Sequence, residues 1–197
     1  MNSEPQQSVS KNGHGLQLVR EWATVLIVAL VIAITVRSLI LQQFYISGPS
    51  MEATMFQDNR VLVNKLSYRL HDINRGDVVV FDRVTVDNEV VQHDDLIKRV
   101  IGLSGETISI RDCQVFIDGK LLAEPYLSDY DLAQSSLDDR CRVPVMEETL
   151  IPENHLFVMG DNRPQSFDSR MFGSIDQNLV VGRAFVIIWP FGAAKFL

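Results

Sequence analysis

From residue 22 to residue 41 apolar side chains follow one another, with Arg37 as the only charge. A helix of about twenty such residues spans the hydrocarbon core of a bilayer. The run therefore predicts a membrane anchor helix over residues 17–42, with Arg37 near its far end, where a long stem lets the charge reach the headgroups. A buried core helix and a cleavable export signal are the alternatives, and the stretch 23–36 alone has the length of a signal's apolar region. No small-x-small cleavage site follows closely, which favours an uncleaved anchor. Residues 1–16 are polar and lack periodic apolar positions, so they are predicted to be a disordered tail.

Beyond Asn59 the pattern changes to short β-branched runs broken by Gly, Asp and Asn, as in a mainly β domain of short antiparallel strands. The runs predict strands at 60–63, 77–81, 96–101, 107–111, 114–117, 156–159 and 180–189. Asp118-Gly119 predicts a hairpin turn between Val115-Phe116-Ile117 and Leu121-Leu122, because such turns need positive φ. Residues 67–74 read as a helical turn, and the polar, acidic stretch 128–140 as a surface loop. The domain is expected to cover residues 43–197, with a small insertion at about 112–150.

Composition narrows the function. The chain has 197 residues, 46% of them hydrophobic, and a formal net charge of -7. No basic stripe appears, so nucleic acid is not an expected partner. The four histidines, at 14, 71, 93 and 155, lack metal-ligand spacing, and neither a metal nor another cofactor is expected. Cys113 and Cys141 fit either one disulfide or two thiols. Lys11 and Arg20 before the apolar run, against Arg37 within it, give only a slight basic excess on the N-terminal side.

Candidate chemistry sits just after the anchor, in Tyr45-Ile46-Ser47-Gly48-Pro49-Ser50-Met51-Glu52-Ala53-Thr54-Met55. Ser50 lies in a tight Gly-Pro turn between apolar side chains, and a serine hydroxyl needs a partner base to act as a nucleophile. Lys98, in the strand-like run Asp95-Leu96-Ile97-Lys98-Arg99-Val100-Ile101-Gly102, would be desolvated if it faced inward, and its neutral form favoured. A third stretch, Gly160-Asp161-Asn162-Arg163-Pro164-Gln165-Ser166-Phe167-Asp168-Ser169-Arg170, is dense in turn formers and hydrogen-bonding groups. Within it Asp161, Asp168 and Arg170 are expected to tie the loop down by charge-assisted bonds. Ser166 has a hydroxyl able to orient a neutral amine.

Together these stretches resemble the bacterial type I signal peptidases, membrane-anchored serine proteases. The resemblance runs from Phe44 onward and rests on four blocks in the family's order: 48–55, 76–81, 97–106 and 160–170. It implies an antiparallel β fold of the signal peptidase type, with an exposed apolar face beside the membrane and the domain outside the cytoplasm. It implies Ser50 as nucleophile, Lys98 as general base and Ser166 as the group orienting Lys98, with Gly48, Arg99, Asp161, Asp168 and Arg170 in support. Preproteins carrying signal peptides would be the substrates and the lipid bilayer the other partner. An extended peptide would lie beside the strands carrying Ile46 and Leu96-Ile97, with Phe44, Ile46, Met51, Asp95, Leu96 and Ile97 around pockets for small residues.

Two positions depart from the family pattern. Ala53 stands where the family usually has proline, which removes a restraint on φ. Gly48 stands, as in other members, where some carry a serine that helps hold the oxyanion, which leaves that task to backbone N–H groups, that of Ser50 among them, with a further donor left open. Two other readings are a membrane-tethered β domain that binds a peptide without cutting it, and a Ser-Lys protease dedicated to one partner.

Overall fold

The computed structural model describes residues 12–87, 90–127 and 141–197. The expected tail before residue 12, the expected loop 128–140 and the side chain of Arg37 lie outside the described residues. The chain divides into two units, Met1–Ile40 and Leu41–Leu197.

The first unit contains one helix, α1 (Asn12–Leu39), which starts within the residues expected to be a tail. Its stretch Gln17–Thr35, 19 residues long, is long and apolar enough to cross a membrane. Every side chain of that stretch is exposed within the unit, so no stripe of it is buried against other described residues. Its two threonines return their hydroxyls to the helix backbone, Thr24 Oγ1 to the Arg20 carbonyl at 2.9 Å and Thr35 Oγ1 to the Val31 carbonyl at 2.8 Å. No hydroxyl there is left for lipid to desolvate.

In the second unit the strands are β1 (Leu41–Tyr45), β2 (Arg60–Asn64), β3 (Val78–Asp87), β4 (Val90–Gly102), β5 (Thr107–Arg111) and β6 (Gln114–Ile117). They are followed by β7 (Lys120–Leu121), β8 (Met146–Leu150), β9 (His155–Met159), β10 (Ile175–Asp176), β11 (Val180–Trp189) and β12 (Lys195–Phe196). Among the described residues they form an eight-stranded sheet in the order β1-β2-β11-β3-β4-β9-β10, with β12 on β11, and a four-stranded sheet β7-β6-β5-β8. Every pairing is antiparallel.

The large sheet is buried on both faces where the site sits, and β3 shows why. Val78 and Val80 join Ile46, Met51, Met55, Val61 and Val63 in one cluster, while Val79 and Phe81 join Val100, Leu156 and Val158 in another. Alternating side chains thus feed two cores, which is what a run of consecutive valines requires of a strand. A third cluster, with Ile101, Ile108, Ile110, Val115, Phe157 and Met159, joins the two sheets. Gly102 permits that join, because a Cβ there would lie 2.3 Å from Ile151 Cδ1.

Asp118 and Gly119 take φ of 49° and 73° between β6 and β7 and make the expected hairpin. Asp112 and Cys113 do the same between β5 and β6, with φ of 51° and 67°. Cys113 is bonded to Cys141, their Cα atoms 5.7 Å apart. The strands expected at 77–81 and 96–101 belong to a much longer hairpin, paired from Val78↔Arg99 to Asp87↔Val90. The helical turn is confined to α2 (Ser67–Leu70).

Candidate active site

Two segments bring the serine and the lysine together. After β1 the chain is stapled by Ile46 N–H to the Asn59 carbonyl at 2.9 Å and Asp58 N–H to the Ile46 carbonyl at 3.0 Å, which closes residues 47–57 into a loop. Inside it Glu52 N–H donates to the Pro49 carbonyl and Met55 N–H to the Met51 carbonyl, at 2.9 and 2.8 Å. Met51 and Met55 are completely buried, so the loop hangs from the core by two apolar anchors while Ser50 stays half-exposed.

Lys98 lies on β4 opposite Val79 and is 3% exposed. Its Nζ is 2.8 Å from Ser50 Oγ and 2.9 Å from the Ile97 carbonyl. Burial pushes its pKa down to about 8. The charges of Asp168 and Asp161 work against that shift, and Arg170 works with it. A buried amine that is substantially neutral near pH 8, in contact with a serine hydroxyl, is equipped to take that hydroxyl's proton.

The loop from Gly160 onward closes the site from the third side. A Cβ on Gly160 would lie 2.3 Å from both Ser166 Oγ and the Ser50 carbonyl oxygen, so only glycine lets this loop approach Ser50 so closely. Asn162 N–H donates to the Ser50 carbonyl at 3.1 Å. Asp161 accepts from Arg99 Nε at 2.9 Å and NH2 at 2.6 Å, and Thr54 Oγ1 also donates to it. Asp168 accepts from Arg170 Nε at 2.8 Å and NH2 at 2.7 Å and from Gly160 N–H at 3.0 Å. Burial alone would raise the Asp168 pKa, but Arg170, Ser166 and the Gly160 N–H together hold it below the usual carboxylate value. Arg99, Asp161, Asp168 and Arg170 thus tie the loop to β4 and to itself.

Three expectations change. Ser166 is fully buried but does not hydrogen-bond Lys98; its Oγ makes no hydrogen bond of good geometry with a described group, while its nearness helps lower the Asp168 pKa. Besides Ser50 Oγ, the amine's hydrogen-bond partner is the Ile97 carbonyl. Ile46 and Met51, expected around substrate pockets, are 3% and 0% exposed and belong to the core. Phe44, Leu96 and Ile97 are half-buried and Asp95 is exposed, so these four retain surface. Ala53 takes φ of 89°, a conformation closed to proline, so this turn is a different one rather than a looser copy.

Gly48 has φ of 106° with open space where a Cβ would be, so backbone conformation rather than crowding favours glycine there. β4 pairs with β9 only from Arg99 onward, and residues 90–98 leave one edge of the strand unpaired among the described residues. Thr54, Arg163, Glu124 and Tyr126 also touch this network and were not singled out from the sequence. Thr54 and Arg163 stand inside the quoted blocks, and that position was the available signal for them. Glu124 and Tyr126 had none.

Residues 19–189 match the family described as signal peptidase, peptidase S26. The chain is 38% identical over 166 residues to "Signal peptidase I V" of Bacillus subtilis, covering 83% of this chain and 95% of that one. It is 34% identical over 170 residues to "Probable signal peptidase I-2" of Synechocystis sp., covering 86% and 73%. A solved signal peptidase I from Enterococcus faecalis is 31% identical, with a TM-score of 0.43, and covers 57% of this chain and 97% of that one.

Proposed function

The chain belongs to the signal peptidase family, peptidase S26, and on that premise we propose that it removes N-terminal signal peptides from exported preproteins after small-x-small motifs, with Ser50 and Lys98 as a catalytic dyad. The observation that carries the dyad is the 2.8 Å contact between Ser50 Oγ and a buried lysine whose pKa is pushed down to about 8. Neutral Lys98 takes the Ser50 proton as Oγ bonds to the scissile carbonyl carbon. Backbone N–H groups, that of Ser50 among them, hold the oxyanion. The proton passes to the leaving amine, and the ester is then hydrolysed by a water that Lys98 deprotonates.

The substrate pairs as an added strand along the free edge of β4, where Leu96 and Ile97 turn to alternate faces and Phe44 closes one side. Shallow pockets between half-buried side chains suit small residues at the first and third positions before the cut. The helix α1 anchors the enzyme with its N-terminus in the cytoplasm and residues 43–197 outside it. The slight basic excess before the apolar run supports that orientation. So does the Cys113–Cys141 disulfide, a bond that persists in oxidising compartments.

The test is incubation of a precursor bearing a small-x-small site with the intact protein and with Ser50→Ala. Mature product released only by the intact protein is expected. Processing by neither when the intact protein is folded in its membrane would leave a binding module as the better reading, and equal processing by both would remove Ser50 as the nucleophile. Cleavage of one precursor out of many would favour a dedicated protease.

A further inference from the structure

Two buried arginines flank the proposed dyad: Arg99, directly after Lys98 on β4, and Arg163, in the loop that begins at Gly160. Both end on one short segment, residues 124–126, which lies outside every shared block and inside the stretch expected to be a peripheral insertion. Arg163 NH1 donates to Glu124 Oε2 at 2.9 Å, and its NH2 donates to Oε1, so the pair is bidentate. Tyr126 OH donates to the same Glu124 Oε1 at 2.7 Å. The Tyr126 ring carries the Arg99 guanidinium on its face, 4.1 Å from the ring centre. Buried Leu127 pins the end of the segment.

The geometry points to Glu124 and Tyr126 as positioning residues for the dyad. They are bonded to each other, and each grips a cation from a different half of the site. Arg99 belongs to the strand that delivers Lys98 and holds Asp161 by two bonds, while Arg163 donates from Nε to the Gly160 carbonyl at 3.1 Å. The clamp therefore sets how far the Gly160–Ser166 loop stands from Lys98. Without the Glu124 charge, the nearest carboxylate already acting on Arg163 is Asp161, the partner that Arg99 needs. Arg163 would then compete for it and pull strand and loop out of register. Removing the Tyr126 ring would uncover the other face of the Arg99 pair.

This inference rests on the dyad reading, and the experiment keeps the two apart. Full-length protein in detergent is assayed for kcat and KM on a precursor, per folded molecule as judged by near-ultraviolet circular dichroism, with Ser50→Ala as reference. Glu124→Gln and Tyr126→Leu should each lower kcat about tenfold or more while KM stays within about twofold, because a small misplacement of catalytic groups acts on the transition state more than on binding. Tyr126→Phe keeps the ring over Arg99 and should recover most of the loss seen in Tyr126→Leu. If kcat per folded molecule is unchanged in Tyr126→Leu and Glu124→Gln, the clamp is a stability element only and the proposal is wrong. Should Glu124→Gln not fold, the Tyr126 pair decides alone, and equal kcat in Leu and Phe variants overturns it. Processing by Ser50→Ala would instead remove the dyad, and this inference with it.

Discussion

At the scale of single residues, Lys98 carries the sharpest expectation because its charge and its basicity make opposite demands. A lysine kept for its charge tolerates arginine, whereas a general base does not, since guanidinium stays protonated at any usable pH. Lys98→Arg should fold, stay in the membrane and lose roughly 10² to 10⁴-fold in cleavage rate. For the wild type the sign follows from the direction of the shift. Burial lowers the pKa to about 8, the active form is the neutral one, and so cleavage should climb as pH rises through about 8 and flatten above it. A pH profile that falls across that range, or substantial cleavage by Lys98→Arg, would take Lys98 out of the chemistry. Ala53 supplies a second expectation. At φ of 89° an alanine is strained and a glycine is not. Ala53→Gly should therefore raise stability in urea by up to about 1 kcal/mol. Ala53→Pro, which fixes φ near -65°, should cost about 2 to 3 kcal/mol and displace Ser50. A proline variant as stable and active as wild type would show that the turn adopts the other conformation.

Elements were legible where one local rule decided them and illegible where pairing decided them. The apolar run of α1 and the Asp118-Gly119 turn each follow from a single property, hydropathy in one case and tolerance of positive φ in the other. The β5 to β6 turn does not, because neither Asp112 nor Cys113 announces a two-residue hairpin, and Cys113 holds φ of 67° as one end of a disulfide. β1 was hidden inside the end of the predicted anchor: Leu41 reads as membrane helix until it is seen opposite Asn64 of β2. The hairpin β3–β4 outran its prediction because residues beyond Phe81 and before Leu96 are charged and weakly patterned. Their pairing, Asp82 against Asp95 and Arg83 against Asp94, is set by register carried outward from the buried valines. Arg83 then lies over the rings of Phe167 and Phe172, at 4.9 and 5.3 Å, which ties the hairpin to the loop of the candidate site. The same logic explains the site. Ser50, Lys98 and the Gly160 loop stood out by composition, while the Glu124 and Tyr126 side chains acquire meaning only from the arginines that the fold lays against them.

For the whole molecule, the division at Ile40 and Leu41 separates a helix long and apolar enough to cross a membrane from the unit that holds the candidate site. Every residue assigned a part in cleavage lies in the second unit. That unit also exposes Phe56, Trp189, Phe191 and Phe196, at 55%, 44%, 80% and 81%; Phe56 lines a cavity of about 380 Å³ with Thr54, Ile187 and Lys195, and Trp189 packs edge-on against Phe191. Exposed aromatics in such number mark a surface that meets lipid or a partner. A chain truncated to residues 41–197 should therefore fold, need detergent to stay dispersed, and cleave a soluble precursor within about tenfold of the full-length rate, a difference of roughly 1.4 kcal/mol in the barrier. The place of the cut matters. Starting at Phe44 removes Leu41, Gln42 and Gln43, whose partners are Asn64, Val63 and Leu62, and leaves β2 with an open edge beside the loop that carries Ser50. That shorter chain should unfold at lower denaturant than 41–197 and lose activity with its fold. If 41–197 is folded, dispersed and inactive, then α1 contributes to the reaction itself rather than only holding the enzyme at the membrane.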